Sequence, residues 1–298
     1  MMMENKMDFE QWLKNKKDII DHWLKELLPG RKEFPEKIHE AMYYSIFAGG
    51  KRIRPILSIL TAEILGYNDE IVKKPACALE MIHTYSLIHD DLPAMDDDDF
   101  RRGHPTNHKV YGEDIAILAG DALLTEAFYI LSQLKSDKLP EILRIIALSS
   151  SSRGMVGGQA IDIIQTNNPT DINLLKKMHA RKTGALLTAP IECAAVLCGE
   201  KNTDNFRELG ANIGMLFQIT DDILDIRGNE AELGKPIGSD MSLGKSTFVS
   251  LLGIEKSEKE AEKYFKSAIK SLHRINVKNN EAVKRFEELI RFIHDRSH

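Results

Sequence analysis

The stretch His89-Asp90-Asp91-Leu92-Pro93-Ala94-Met95-Asp96-Asp97-Asp98-Asp99-Phe100-Arg101-Arg102-Gly103 sets six carboxylates within ten consecutive positions. Carboxylates crowded this closely repel one another, which costs stability unless a cation is shared between them. The residues leading in, Leu79 to Ile88, are largely apolar and helix-compatible, so the cluster closes a buried helix. A solvated acidic tail would lack such a lead-in. Arg101 and Arg102 follow at once and add the opposite sign. Carboxylates suited to a hard cation, beside arginines suited to an anion, point to one ligand carrying both: a phosphate ester with its magnesium ions.

Working outward, the flanking chain reads as helices. Upstream, Phe9, Trp12, Leu13, Ile19, Ile20, Trp23, Leu24, Leu27 and Leu28 recur at helical spacing until Pro29-Gly30 stops them. A second helix runs from Pro35 to Phe47, and a third from Ile56 to Leu65. Between them lies Gly49-Gly50-Lys51-Arg52-Ile53-Arg54-Pro55, three cations in a glycine-opened turn. Residues 69 to 90 form the helix that delivers the aspartates. Downstream, helices are expected over 115–134, 139–148, 171–198, 204–226, 247–273 and 279–294, with a loop rich in Gly, Ser, Asp and Lys over 229–247. No alternating strand pattern persists beyond a few residues. The expected fold is therefore all-α: one domain over residues 1–298, a bundle of about ten or more helices around a central cavity.

Composition narrows the function. A hydrophobic share of 43%, a charged share of 29% and a net charge of -5 describe an ordinary globular chain with no global basic field for nucleic acid. Cys77, Cys193 and Cys198 lack metal-ligand spacing and fit reduced, buried thiols. No apolar run approaches the roughly 18 residues of a membrane span, and the polar N-terminus is no secretory signal. The expectation is a cytoplasmic protein without a membrane span.

The acidic theme returns at Gln218-Ile219-Thr220-Asp221-Asp222-Ile223-Leu224-Asp225. Asp221 and Asp225 share one helix face, with Asp222 about 100° round. Like charges at that spacing disfavour a helix by a few tenths of a kcal/mol, a cost with no structural motive here. In the first cluster Asp90 and Asp96 are six apart, about 120° on an ideal helix, and Pro93 lies between them. The helix is expected to end or deform there.

Asp90-Asp91-x-x-x-x-Asp96 with Arg101-Arg102-Gly103, together with Asp221-Asp222-x-x-Asp225, resembles the two aspartate-rich motifs of the trans-prenyltransferases, the farnesyl and geranyl diphosphate synthases. The resemblance covers nearly the whole chain. Gly-Gly-Lys51-Arg-Ile-Arg54-Pro, Lys182-Thr183, Phe217-Gln218 and the loop from Gly234-Lys235-Pro236 to Gly244-Lys245 stand in the family's order. One Asp-Asp-x-x-Asp is a weak signal; this ordered set is a strong one. The four residues between Asp91 and Asp96 resemble the bacterial farnesyl form.

The resemblance implies an isoprenoid synthase fold and a magnesium-dependent condensation of isopentenyl diphosphate with dimethylallyl and geranyl diphosphates. The allylic diphosphate ionises, the double bond of isopentenyl diphosphate attacks, and a proton is lost. It implies Asp90, Asp96 and Asp221 as metal ligands, with Asp91, Asp222 and Asp225 in support, and about three magnesium ions with substrate bound. Arg101, Lys182, Gln218 and Lys235 would hold the allylic diphosphate; Lys51, Arg54, His83 and Arg102 would hold isopentenyl diphosphate. Thr183 and Lys245 join the substrate-binding set. Asp90, Asp91, Asp96, Arg101, Lys182 and Asp221 are the expected catalytic group. Tyr85 and Ser86, five and four residues before Asp90, would floor the hydrocarbon pocket and favour the farnesyl product over longer ones, with geranyl or geranylgeranyl diphosphate as the alternative main product. A homodimer is implied, and Arg296 is a candidate lid group.

Other readings are weaker. Gly238 and Gly244-Lys245-Ser246 miss the nucleotide-binding loop by one residue, and no strand precedes them. Glu36-x-x-His39 and Glu80-x-x-His83 match a helical di-iron site but leave the arginines unexplained. A terpene cyclase usually has a different second motif, and a non-catalytic prenyltransferase subunit would be expected to lack an aspartate motif.

Overall fold

The computed structural model describes residues 2–227 and 244–295. Helix accounts for 75% of the protein, as the succession of 3.6-periodic segments requires. The chain forms two compact units, one from Met1–Ile56 and Lys73–Leu139, the other from Leu57–Val72 and Pro140–His298.

The first unit contains α1 (Met2–Leu27), α2 (Glu36–Phe47), the first turn of α3 (Ile53–Ile64), α4 (Lys73–Asp90), α5 (Asn107–Tyr111) and α6 (Glu113–Ser132). A surface helix buries one stripe; α4 is buried on every side, including Ala76, Cys77, Leu79, Met81, Ile82 and Ile88. Burial of side chains this size contributes about 1.5–3 kcal/mol each for the larger ones, so α4 is fixed from within. It packs against α1, α2 and α6. As Pro93 requires, α4 stops at Asp90. A two-stranded ribbon then pairs β1 (Phe100–Arg101) with β2 (His104–Pro105). Arg102 and Gly103 at its tip both have positive φ, 54° and 78°, the geometry of the tightest hairpin turn. Two-residue strands are too short to leave a period in the sequence.

Helix α6 corrects one premise, that no apolar run approaches the length of a membrane span; the expectation of no span is not overturned by it. With 20 residues and a mean hydropathy of 1.6 over 18 of them, it is long and apolar enough to cross a membrane by length and composition. Ala116, Ala119, Gly120, Leu123, Ala127, Ile130 and Leu131 are buried, and that face of α6 packs on α4 and α2.

The second unit holds the rest of α3, a 3₁₀ turn at Asp69–Val72, then α7 (Leu139–Ser150), α8 (Met155–Gln165), α9 (Ile172–His179), α10 (Ala185–Leu197), α11 (Asp204–Arg227), α12 (Phe248–Leu252), α13 (Ile254–Leu272) and α14 (Asn280–Asp295). The expected helix over 171–198 is α9 and α10 joined through a π turn, Ala180–Gly184. The expected helix over 247–273 is two: Gly253, at φ 78°, separates α12 from α13. Helix α11 packs on α10 and α13, and α8 packs on the π turn.

Candidate active site

In the first unit the chain folds back directly after α4. The amide of Asp96 donates to the carbonyl of Asp90 at 2.9 Å, and those of Met95 and Asp97 donate to Leu92. That closed turn brings the backbones of half-buried Asp90 and Asp96 together, although their helical positions would diverge. Two half-exposed carboxylates on one closed turn are ligands of the kind magnesium takes, one or two at a time, leaving its other positions to water and phosphate oxygens.

Asp91 behaves differently. It is 3% exposed, and Arg101 donates to it from Nε at 2.7 Å and 3.0 Å and from Nη2 to Oδ1. Burial raises its carboxyl above the ordinary carboxylate range, while Arg101 pulls the other way and Asp98 adds to the rise. Asp91, expected to support the metal, is thus the anchor of Arg101.

The glycine-opened turn is shaped by Arg102, whose Nη1 donates to the Gly49 carbonyl. Gly50 sits at φ 120°, a conformation that favours glycine, and a Cβ there would lie 2.6 Å from Arg102 Nη1 and push the guanidinium aside. Arg52, central in the same run, is 2% exposed and bonds Asp21 at 2.8 Å, Glu80 at 3.0 Å and the Ile46 carbonyl. It holds the turn from inside; Lys51 is exposed and Arg54 half-buried. His83 is held well below the ordinary imidazole range by burial first, then by Arg54, Arg102, Arg101 and Arg52. It is a neutral donor or acceptor among four guanidinium groups, surroundings suited to an anion.

Tyr85 is buried, edge-on to His89 at 5.6 Å. Burial, then Asp90 and Asp121, push its hydroxyl up to about 12, so it stays protonated. Ser86 donates to the carbonyl of His83 at 2.9 Å. Of the di-iron pairs, Glu80 is occupied by Arg52, and His39 contacts the Glu33 carbonyl at 2.9 Å.

In the second unit, Lys182 stands on the π turn and bonds Asp162 at 2.5 Å. Burial pulls the Asp162 carboxyl up, yet Lys182, then Lys245 and His179, hold it below the ordinary range. A Cβ on Gly158 would enter the backbone of Lys182, so glycine lets α8 meet the π turn. Thr183 donates to Gln218 Oε1 at 2.8 Å, Gln218 Nε2 donates to Asp222 at 3.1 Å, and the Phe248 amide donates to Asp222 at 2.8 Å. His179 Nε2 lies 3.7 Å from Asp222, its ring stacked on Phe248. Asp222 and Asp225 are 2% and 1% exposed, whereas Asp221 is half-buried. Asp222 is therefore the hub of a hydrogen-bond network. Lys235, Gly238 and Arg296 lie outside the described residues.

Sequence reading passed over Asp162 and His179 as site residues. A buried acid is stable only with a partner, and Asp162 three residues after Gln159 in a glycine-rich run was the available signal for the first. His179 carried none.

The polyprenyl synthetase family profile matches residues 35–290. Over 258 residues the chain is 47% identical to the geranylgeranyl diphosphate synthase of Cyanophora paradoxa, covering 84% of this chain and 85% of that one. Over 278 residues it is 41% identical to the farnesyl diphosphate synthase of Geobacillus stearothermophilus, covering 91% and 93%. Its fold is similar to that of the geranyltransferase from Helicobacter pylori complexed with magnesium and isoprenyl diphosphate, with a TM-score of 0.85, 30% identity, and 96% and 97% coverage.

Proposed function

This chain belongs to the polyprenyl synthetase family, magnesium-dependent prenyltransferases acting on isoprenyl diphosphates, and from that premise we propose that it makes farnesyl diphosphate. It does so by condensing isopentenyl diphosphate with dimethylallyl and then geranyl diphosphate, and it acts as one polyprenyl synthase domain. The observation that carries the reading lies at the end of α4: a folded-back turn pairing Asp90 with Asp96, next to four arginines around a neutral histidine. Asp90, Asp96 and Asp221 would hold the metal, with about three magnesium ions at work once substrate binds. Magnesium bound to an allylic diphosphate neutralises the charge of the leaving group.

The protein's own groups do the rest. Arg101, steadied by Asp91, and Lys182, steadied by Asp162, grip the allylic diphosphate with Gln218, Thr183, Lys235 and Lys245. Lys51, Arg54, His83 and Arg102 hold the diphosphate of isopentenyl diphosphate, His83 as an uncharged partner. The apolar wall of α4 keeps water from the cation. Tyr85, bulky and protonated, stops the growing tail, with Ser86 beside it. Farnesyl and geranylgeranyl diphosphate synthases both match this chain, so the fifteen-carbon assignment rests on Tyr85 alone. Exposed Ile117, Leu118 and Tyr129 on α6 support a homodimer, and three buried free thiols support a cytoplasmic location.

The test is incubation with isopentenyl and dimethylallyl diphosphates plus magnesium, followed by chromatography of the products. A fifteen-carbon product that disappears with chelator is expected; Asp90→Asn abolishes it and Tyr85→Ala lengthens it. Near-normal turnover in Asp90→Asn sinks the metal assignment, and an unchanged product spread in Tyr85→Ala sinks the floor.

A further inference from the structure

Three residues of the first unit stand close together without a part in the reading above. Asp97, Asp99 and His108 each bring a ligand atom to within 4.8 Å of the others. Exposed acids are common, and the two aspartates alone would signify little. The imidazole is the independent observation: His108 is 7% exposed, and its Nε2 is buried without a hydrogen-bond partner.

The tautomer follows from the neighbours. Thr106 Oγ1 donates its single proton to the Asp98 carbonyl at 2.8 Å, more distantly to that of Asp99, and lies 3.1 Å from His108 Nδ1. With the hydroxyl proton so used, Nδ1–H is the donor in that contact. The neutral ring then carries its lone pair on Nε2. An imidazole whose Nδ1–H is fixed by a second group and whose Nε2 is free is the arrangement found at metal-ligating histidines.

We propose that Asp97, Asp99 and His108 form a second cation site, selective for a zinc-class divalent ion over magnesium because one ligand is imidazole. Its ligands are other than Asp90 and Asp96. Around an ion held at about 2.1 Å, ligand atoms sit roughly 3–3.5 Å apart. The buried imidazole stays in place, and the two solvent-exposed carboxylates close the remaining distance by rotating. Asp99 gives up Lys109, its partner at 2.6 Å, an exposed pair of the kind that contributes little. The bound ion fastens the loop after the first aspartate motif to the short helix α5. Zinc-class ions thereby stiffen this loop while magnesium serves the reaction.

The full-length protein is kept in excess magnesium and titrated with cobalt(II), whose visible absorption reports nitrogen ligation. The expected result is saturation at one equivalent, weakened at least about tenfold in Asp97→Asn and in His108→Gln, and retained in Asp90→Asn. Replacing a buried histidine can also loosen α5. Asp97→Asn, altered in solvent, therefore carries the test by itself. Absence of a saturable cobalt band overturns the proposal. So does unchanged affinity in Asp97→Asn, or a band lost with Asp90→Asn. None of these readings depends on turnover, so they stand or fall apart from the prenyltransferase assignment.

Discussion

Replacing Asp91 by Asn separates two accounts of the first motif. As a metal ligand, Asp91 would act through magnesium. As the structure has it, Asp91 is 3% exposed and spends its oxygens on Arg101. Asn keeps the volume but accepts through one oxygen only, so the bidentate grip is lost. Hydrogen bonds to charged groups contribute about 1.5–3 kcal/mol. Burial already raises the Asp91 carboxyl despite Arg101, so the variant is relieved of part of a desolvation cost. It leaves Arg101, however, with Asp98 at 3.5 Å as its one remaining carboxylate partner among the described residues, and removing one partner of a buried pair is the costly direction. Stability should fall by about 1.5–3 kcal/mol, at about 2–4 °C in thermal midpoint per kcal/mol. Function should suffer as well. An unanchored guanidinium misplaced by about 1 Å costs on the order of a hundredfold in rate, or about 2.7 kcal/mol of transition-state stabilisation. Steady-state kinetics should show kcat/KM for the allylic substrate down by about that factor. Excess magnesium should leave the defect in place, and Asp91→Asn combined with Arg101→Lys should be little worse than either alone. Restoration of rate by magnesium, or full additivity of the two changes, would refute the anchoring role.

His83 gives a pH test. The unfolded chain takes up a proton at an ordinary histidine near pH 6.5, and the folded protein resists it. Stability therefore falls as pH drops below about 6.5, and denaturant midpoints between about pH 7.5 and about pH 5.5 should fall less steeply in His83→Gln than in the parent; parallel curves would count against the neutral histidine. Asp162→Asn should lower kcat/KM about tenfold to a hundredfold by releasing Lys182, and a double-mutant cycle with Lys182→Ala should show strong coupling; independent effects would separate the two residues.

Most of the fold was legible because helical periodicity is a local signal. What escaped was set by contacts distant in sequence. The π turn under Lys182 exists where α8, α9, α10 and α11 all pack on one segment, and nothing in Ala180–Gly184 announces it. The break between α12 and α13 was written as Gly253, yet a lone glycine inside a helical pattern is usually tolerated. Asp90, Asp96 and Pro93 did predict the end of α4, because a six-residue spacing cannot sit on one face of a helix. Acid–base partners were the least legible part. Asp162 with Lys182, and Arg52 with Asp21 and Glu80, join residues 20 to 31 positions apart, beyond any helical register.

Each acidic motif opens on an Asp-Asp doublet, and the two doublets solve the same problem alike. Neighbours on a helix point about 100° apart, so when the first acid faces the solvent-accessible side, the second turns inward. Asp90 and Asp221 are half-buried; Asp91 and Asp222 are 3% and 2% exposed. The inward acid cannot stay unpaired, and in each case it is satisfied by a group the site needs in place: Arg101 for Asp91, Gln218 for Asp222. On the proposed function, a doublet would supply one ligand and, at a fixed angle from it, one anchor for the neighbouring diphosphate contact. That coupling explains why a single aspartate would not serve. Lengthening the inward acid, Asp222→Glu, should disturb the network through Gln218 and Thr183 although no charge is lost, whereas the same change at Asp221 should act through metal affinity. A magnesium titration of the rate tells the two apart: a shifted midpoint for Asp221→Glu, and a lowered plateau for Asp222→Glu.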